Sequence, residues 1–201
     1  MALAPQFQGT LFGSRTARHT LELYIDFVCP FSGKQLLGVR EHLVPRIQKD
    51  LKADLALVIR CTPQPWHASS TFVHEAFLAV LKAEPSKAWD FAYALMDKQK
   101  EFYDEPVANE SPVGTKKRLA KLAKESVGVD ESKFIELVST SQGNSGSAVT
   151  NDLKLQVKLG RQNGIHVTPT CVLDGLVEPS ISSSFGADEW NKFIDEKIKQ
   201  K

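Results

Sequence analysis

Between residues 20 and 28 the chain reads TLELYIDFV, with Leu21, Leu23, Ile25 and Phe27 on one face and Tyr24 and Val28 on the other. A run that is apolar on both faces predicts a buried strand. From Pro30 the period changes. PFSGKQLLGVREHLVPRIQKD carries apolar side chains at helical spacing, and Pro30 suits a first helical turn, where its missing N–H costs no hydrogen bond. Pro45 predicts a kink or the end of the first helical segment. ADLALVIRC (53–61) is a second strand, rich in Leu, Val and Ile. Strand, helix and strand within about 40 residues form a βαβ unit, with parallel strands and a right-handed crossover.

From about Ser69 to Asn163 the pattern is helical in pieces: STFVHEAFLAVLKA, SKAWDFAYALMDKQKEFYD, TKKRLAKLAKESV, DESKFIELVST and AVTNDLKLQVKLGRQNG. Glu84-Pro85, EPVANESPVG and SQGNSGS separate them. Asp130 is placed to cap the fourth piece, with Lys133 where a capping-box Glu would stand. Beta character returns at IHVTPTCVLDG (165–175), where Asp174-Gly175 predicts a hairpin turn into LVEPSIS, and ADEWNKFIDEKIKQK closes the chain as a helix. The expected organisation is one α/β domain built from residues 1–65 and 150–201, with 66–149 as an inserted helical subdomain. There is no internal repeat, and no low-complexity linker that would set off a second independent domain.

Composition narrows the class. With 42% hydrophobic residues, 201 residues can bury one good core. The net charge of +1 gives no electrostatic case for nucleic acid or an anionic membrane as partner. The basic stretches EKIKQK and TKKRLAKLAK are interspersed with apolar residues and read as solvated helix faces. No apolar run approaches the ~20 residues of a membrane span, and the first twenty residues lack the charged start and apolar block of a secretion signal. Three cysteines, Cys29, Cys61 and Cys171, are few and odd in number, which argues for a reducing compartment and a cytoplasmic protein.

The chemistry centres on DFVCPFSGK (26–34). A cysteine between a buried strand and a helix lies at the carboxyl end of a parallel sheet, where open α/β folds bind ligands. First-turn N–H groups and the helix dipole stabilise a thiolate there, and Lys34 adds charge nearby. The plain alternative is a small buried filler. Ser32 stands where a second cysteine would complete C-x-x-C; it either donates a hydroxyl hydrogen bond to Cys29 or is a polar first-turn residue. Trp66 and His67 follow the second strand at the same sheet edge. They line a pocket, with His67 assisting proton transfer to or from Cys29, or they cap a loop. His67 and His74 alone make no metal site. Cys61 and Cys171 are buried strand thiols or internal resolving thiols; bridging to Cys29 needs Cα atoms within about 7 Å.

LFGSRTARHTLELYIDFVCPFS and GIHVTPTCVLDG together resemble the two signatures of the DsbA-like branch of the thioredoxin superfamily, and the C-P-F-S motif resembles that of its eukaryotic, notably fungal, members. The resemblance covers nearly the whole chain. It implies a thioredoxin-like α/β fold with a helical insertion between the βαβ half and the C-terminal ββα half. It further implies Cys29 as nucleophile, followed by Pro30 and Phe31 in the motif, Pro169 as a cis-proline, and the Thr168 backbone as the edge that pairs with an extended peptide or glutathione. With Ser32 in place of a second cysteine, an internal C-x-x-C disulfide is unavailable, and glutathione is the expected external thiol that resolves a mixed disulfide.

SSFGADEW (183–190) is similar to a segment of kappa-class glutathione transferases and 2-hydroxychromene-2-carboxylate isomerases. That similarity implies a glutathione contact at Asp188, with backbone donors near Ala187; an acidic residue at a helix start is the simpler account. The leading expectation is a glutathione-linked thiol–disulfide oxidoreductase with one nucleophilic cysteine and no tightly bound cofactor, working as a monomer or homodimer. A kappa-like glutathione transferase or isomerase and a non-catalytic peptide-binding module are the alternatives.

Overall fold

The computed structural model describes residues 3–199. A five-stranded sheet runs in the order β1-β3-β2-β4-β5, with β1 Leu11–Phe12, β2 His19–Ile25, β3 Leu55–Cys61, β4 Thr170–Leu173 and β5 Leu176–Val177. The central pair β2–β3 is parallel, in register from His19↔Leu55 to Ile25↔Cys61, and the other pairs are antiparallel. Leu21, Leu23 and Ile25 alternate onto one face together with Leu55, Leu57 and Ile59, and all six are fully buried.

Two helical segments cross over between β2 and β3: α1 Pro30–Gly38 and α2 Val44–Lys49. At Pro45, where a kink or the end of the first segment is expected, a widened π turn, Val39–Leu43, joins the two segments. Pro45 has no N–H to offer the ladder, and the wide turn absorbs the mismatch. Between β3 and β4 come α3 Ser70–Ala83, α4 Ala88–Asp97, α5 Asp104–Val107, α6 Pro112–Val127, α7 Glu131–Val138 and α8 Thr150–Gln162. The stretch 86–104, expected as one helix, is α4, a 3-10 turn Gln99–Phe102 and the start of α5. The tighter turn aims buried Gln99 inward, and Asp104 Oδ1 accepts the Ala68 N–H at 2.9 Å. Asp130 caps α7 as expected, accepting from the Lys133 N–H at 3.0 Å.

Asp174 (φ 51°) and Gly175 (φ 89°) make the two-residue turn between β4 and β5, with Leu173 paired to Leu176. Both central φ values are positive, which is why Asp-Gly suits this turn. The last helix is α9 Ala187–Phe193, continued by a π turn Ile194–Ile198; residues 200–201 of the expected helix lie outside those described. β1 has no counterpart in the hydrophobic pattern, since it is only two residues long and is held by β3.

One hydrophobic cluster runs from the sheet through α1 and on into the insertion, joining Leu23 and Leu36 to Phe77, Phe91, Leu119 and Phe134. The other face of the sheet combines a small apolar cluster of Tyr24, Ile165 and Val172 with buried polar groups and is covered by α8, whose Gly160 lies against the Tyr24 ring. There Arg60 Nε donates to Glu22 Oε2 at 2.6 Å, and Tyr24 Oη donates to the same oxygen at 3.2 Å. The basic face of α6 is less solvated than its composition suggests. Lys116 lies 3.6 Å from Glu75 with its side chain 12% exposed, and Arg118 pairs with Glu110 at 3.0 Å.

Removing one partner of a buried ion pair leaves the other charge uncompensated in a poor solvent. Arg60→Leu is therefore expected to lower the free energy of unfolding by about 3–5 kcal/mol, read from urea denaturation.

Candidate functional site

β2 ends at Ile25, three residues before the end of the apolar run, because Asp26 turns the chain. The Cys29 N–H donates to Asp26 O at 3.0 Å and the Val28 N–H to Asp26 Oδ1 at 2.9 Å. Cys29 is thereby set as the N-cap of α1, 6% exposed, and the Gly33 N–H donates to its carbonyl at 3.0 Å. Its thiol does not cap the helix. Sγ donates instead to Thr168 O at 3.4 Å, since a protonated thiol is a donor and the free groups of a helix N-terminus are also donors.

The Thr168–Pro169 peptide is cis. Among the described residues the Thr168 N–H has no protein partner. Large apolar side chains surround this edge in the open: Phe31, which follows the motif proline, Trp66, and Val167, which precedes Thr168, are all more than 60% exposed.

Beneath the thiol lies Asp26, fully buried and saturated with donors. Oδ1 accepts from Val28 N and from Ser70 Oγ at 2.8 Å; Oδ2 accepts from Gln64 N at 3.0 Å and from His67 Nδ1 at 2.7 Å. An ionised carboxylate only accepts, so Nδ1 carries the proton and Nε2 is the ring's open nitrogen. That ring lines a cleft of about 510 Å³ beside Val28, Pro30 and Tyr103. His74 is wholly buried, with Nδ1 donating to Ser70 O at 2.8 Å and Nε2 3.3 Å from Ile25 O. Among the described residues no cluster of three or more His, Cys, Asp or Glu could hold a metal.

The insertion holds the motif from its other side. Gln99 Nε2 donates to the carbonyls of Phe27 and Cys29, both at 2.9 Å, and Tyr103 Oη donates to Gln99 Oε1 at 2.9 Å. Gly33 makes room for this clamp, because a Cβ there would stand 2.6 Å from Gln99 Oε1. Burial first, and then the charge that Cys29 carries once deprotonated, push the Tyr103 phenol up from its ordinary pKa.

The structure thus gathers Cys29, Pro30, Phe31, Thr168, Pro169 and His67 about one point, with Trp66 edge-on to His67 at 6.1 Å between ring centroids. Other expectations change. The Ser32 hydroxyl accepts the Asp26 N–H at 3.2 Å, and among the described residues no hydrogen bond joins it to Cys29. Lys34 turns from the thiol to Ser184 Oγ at 2.8 Å. Asp188 is exposed and is not brought to Cys29. The segment before it passes Gly38, roughly 13 Å along α1 from the thiol at 1.5 Å per residue, and its helix packs on the Val39–Leu43 turn and bonds Arg46 through Asn191.

Cys61 and Cys171 are free and buried in register with Ile25 and Leu23. Burial pushes both thiols up, Cys171 to about 12. Sequence reasoning passed over Asp26, Gly33, Gln99 and Tyr103. The only local signal was an aspartate breaking an otherwise apolar run just before Cys29.

A βαβ crossover, an inserted block of helices and an antiparallel hairpin, with Cys29 at the first strand-to-helix junction facing a cis-proline loop, make a thioredoxin-like fold with a helical insertion. Scans of the sequence against family models and against curated proteins return no match. Solved structures do match over nearly the whole chain. A proposed protein-disulfide isomerase of Pseudomonas syringae superposes with a TM-score of 0.75 at 23% identity, covering 94% of this chain and 99% of its own. Oxidised BdbD of Bacillus subtilis gives 0.71 at 23%, covering 96% and 95%. The thiol-disulfide exchange protein alpha-DsbA2 of Wolbachia pipientis gives 0.66 at 17%, covering 92% and 85%. At these identities the likeness establishes the fold.

Two outcomes are expected. Iodoacetamide at pH 8 should modify Cys29 alone in the native protein and all three cysteines in denaturant, counted by mass spectrometry. Gly33→Ala should displace Gln99 and cost about 1–3 kcal/mol of stability, the usual penalty of overpacking, measured by chemical denaturation.

Proposed function

We propose that the protein is a glutathione-linked thiol–disulfide oxidoreductase that works through one cysteine. The observation that carries this reading is the Cys29 thiol at 3.4 Å from the carbonyl before a cis-proline, on a motif whose second position is Ser32. The resting thiol occupies the Thr168 carbonyl with its own proton. Once Cys29 is deprotonated or bonded to a partner sulfur, that carbonyl loses its donor. It then joins the open Thr168 N–H as an edge on which an extended partner aligns. Exposed Phe31, Trp66 and Val167 offer apolar surface to such a partner.

The Cys29 thiolate attacks the glutathionyl sulfur of a glutathionylated client. The client–sulfur bond breaks, the client leaves as a thiolate that takes up a proton, and glutathione stays on Cys29. A second glutathione, as thiolate, attacks that glutathionyl sulfur. The bond to Cys29 breaks with its electron pair on Cys29, and oxidised glutathione departs. The same exchange runs with other mixed disulfides. Ser32 supplies no second sulfur, and Cys61 and Cys171 are buried within strands, so the resolving thiol comes from outside. Such a cycle belongs in a reducing, cytoplasmic compartment. The solved neighbours described as thiol-disulfide exchange or disulfide isomerase proteins favour the same class of chemistry. No observation favours the kappa-like reading, because Asp188 stands away from the thiol.

Exposure to oxidised glutathione should give one adduct, on Cys29, that reduced glutathione removes. Cys29→Ser should lower turnover of a glutathionylated peptide by on the order of 100-fold or more; an active Cys29→Ser protein would end the proposal. Reduced Ser32→Cys protein should, without glutathione, convert one equivalent of a peptide disulfide to its dithiol and end with an internal disulfide to Cys29, counted by mass spectrometry.

A further inference from the structure

Resting on that reading, we propose that the cleft beside Cys29 is the docking site of the resolving thiol. Lys100 and Glu105 read the zwitterionic γ-glutamyl end of glutathione, and His67 Nε2 takes its thiol proton. Both charged residues line the cleft and are exposed. Among the described residues neither makes an ion pair or a side-chain hydrogen bond, whereas the charges around them are committed. Lys98 and Arg118 pair with Glu101, and Asp104 holds the Ala68 N–H. The mouth thus presents Lys100 and Glu105, unpaired among the described residues, with Asp104, whose carboxylate keeps its charge while accepting the Ala68 N–H, beside the apolar surface of Val28, Pro30 and Pro106.

An amino acid head group, with an ammonium and a carboxylate on one carbon, complements both charges. In glutathione that head group is joined to a cysteine thiol through the γ-amide and lies within a tripeptide's reach of it. A volume of about 510 Å³ is within the range of small-ligand sites.

The proton route is built into the same wall. His67 is held at Nδ1 by buried Asp26 and leaves Nε2 without a protein partner among the described residues. The thiol S–H bond of the docked glutathione breaks, its proton passes to Nε2, and the sulfur keeps the electron pair. That thiolate attacks the partner sulfur bonded to Cys29; one S–S bond forms, one breaks, and the electron pair ends on Cys29. The imidazolium returns its proton to the departing Cys29 thiolate or to solvent, and the Asp26 carboxylate stabilises the charged ring meanwhile. The apolar edge at Thr168 and the charged cleft thus give the two partners separate places.

The test is titration of S-methylglutathione, which keeps the head group and has no thiol, into Cys29→Ser protein by calorimetry. Saturable binding is expected, weakened about tenfold in the Lys100→Glu background and several-fold in Glu105→Gln. The analogue lacking the α-amino group should bind the parent as weakly as S-methylglutathione binds Glu105→Gln. Absence of saturable binding, or affinity unchanged in both charge variants, overturns the site. His67→Gln in the otherwise intact enzyme should slow the glutathione step and flatten its pH–rate profile, with S-methylglutathione affinity held within about twofold; an unaltered profile overturns the proton role. Binding is read without turnover. A protein that binds S-methylglutathione yet exchanges no disulfide therefore refutes the redox reading alone, and exchange with unaltered affinities refutes the site alone.

Discussion

The site depends on one buried anion. Asp26 sits at the carboxyl end of the central strand with no exposure, where an unpaired carboxylate would cost several kcal/mol. It is tolerated because four donors converge on it: Val28 of the motif turn, Gln64 and His67 of the loop after β3, and Ser70 at the start of α3. Each comes from a segment that must take one place for the carboxylate to be satisfied. The position of the Cys29 turn, the aim of His67 and the seating of α3 follow from that requirement.

The inserted helices belong to the site as much as to the fold. They share a continuous apolar cluster with the sheet, and Gln99 crosses from them to hold two carbonyls of the motif. Gly33 on α1 has no side chain, so the amide can approach. Tyr103 then fixes Gln99 and forms a wall of the cleft. The motif is gripped between the sheet below and the insertion beside it, and its thiol is presented between an apolar edge and a charged cleft.

Ser32 changes the chemistry without disturbing this frame. Its hydroxyl accepts the Asp26 amide proton inside the protein, a task that a thiol does poorly. A resting Cys29 meets a carbonyl and not a second sulfur. Within the motif Cys29 therefore has no second sulfur beside it.

Hydrophobic periodicity by itself determined the strand–helix–strand opening, most of the helical insertion, the Asp130 cap and the Asp-Gly hairpin, because each rests on contacts between residues close in sequence. It also placed Cys29 at a strand-to-helix junction. It overran the end of β2, since Phe27 and Val28 are as apolar as a strand yet are buried in a turn that Asp26 bends. It missed β1, which exists only through pairing with β3. The roles of Asp26, Gln99 and Tyr103, and the pairing of His67 with Asp26, were decided by the tertiary structure alone: Gln99 and Cys29 lie 70 residues apart along the chain, and Asp26 and His67 lie 41 apart. Asp188 shows the converse, a local motif that reads as a ligand contact until packing places its helix at the other end of α1. Local pattern sets which elements form; which polar groups meet is settled when the elements pack and every buried charge must find its donors.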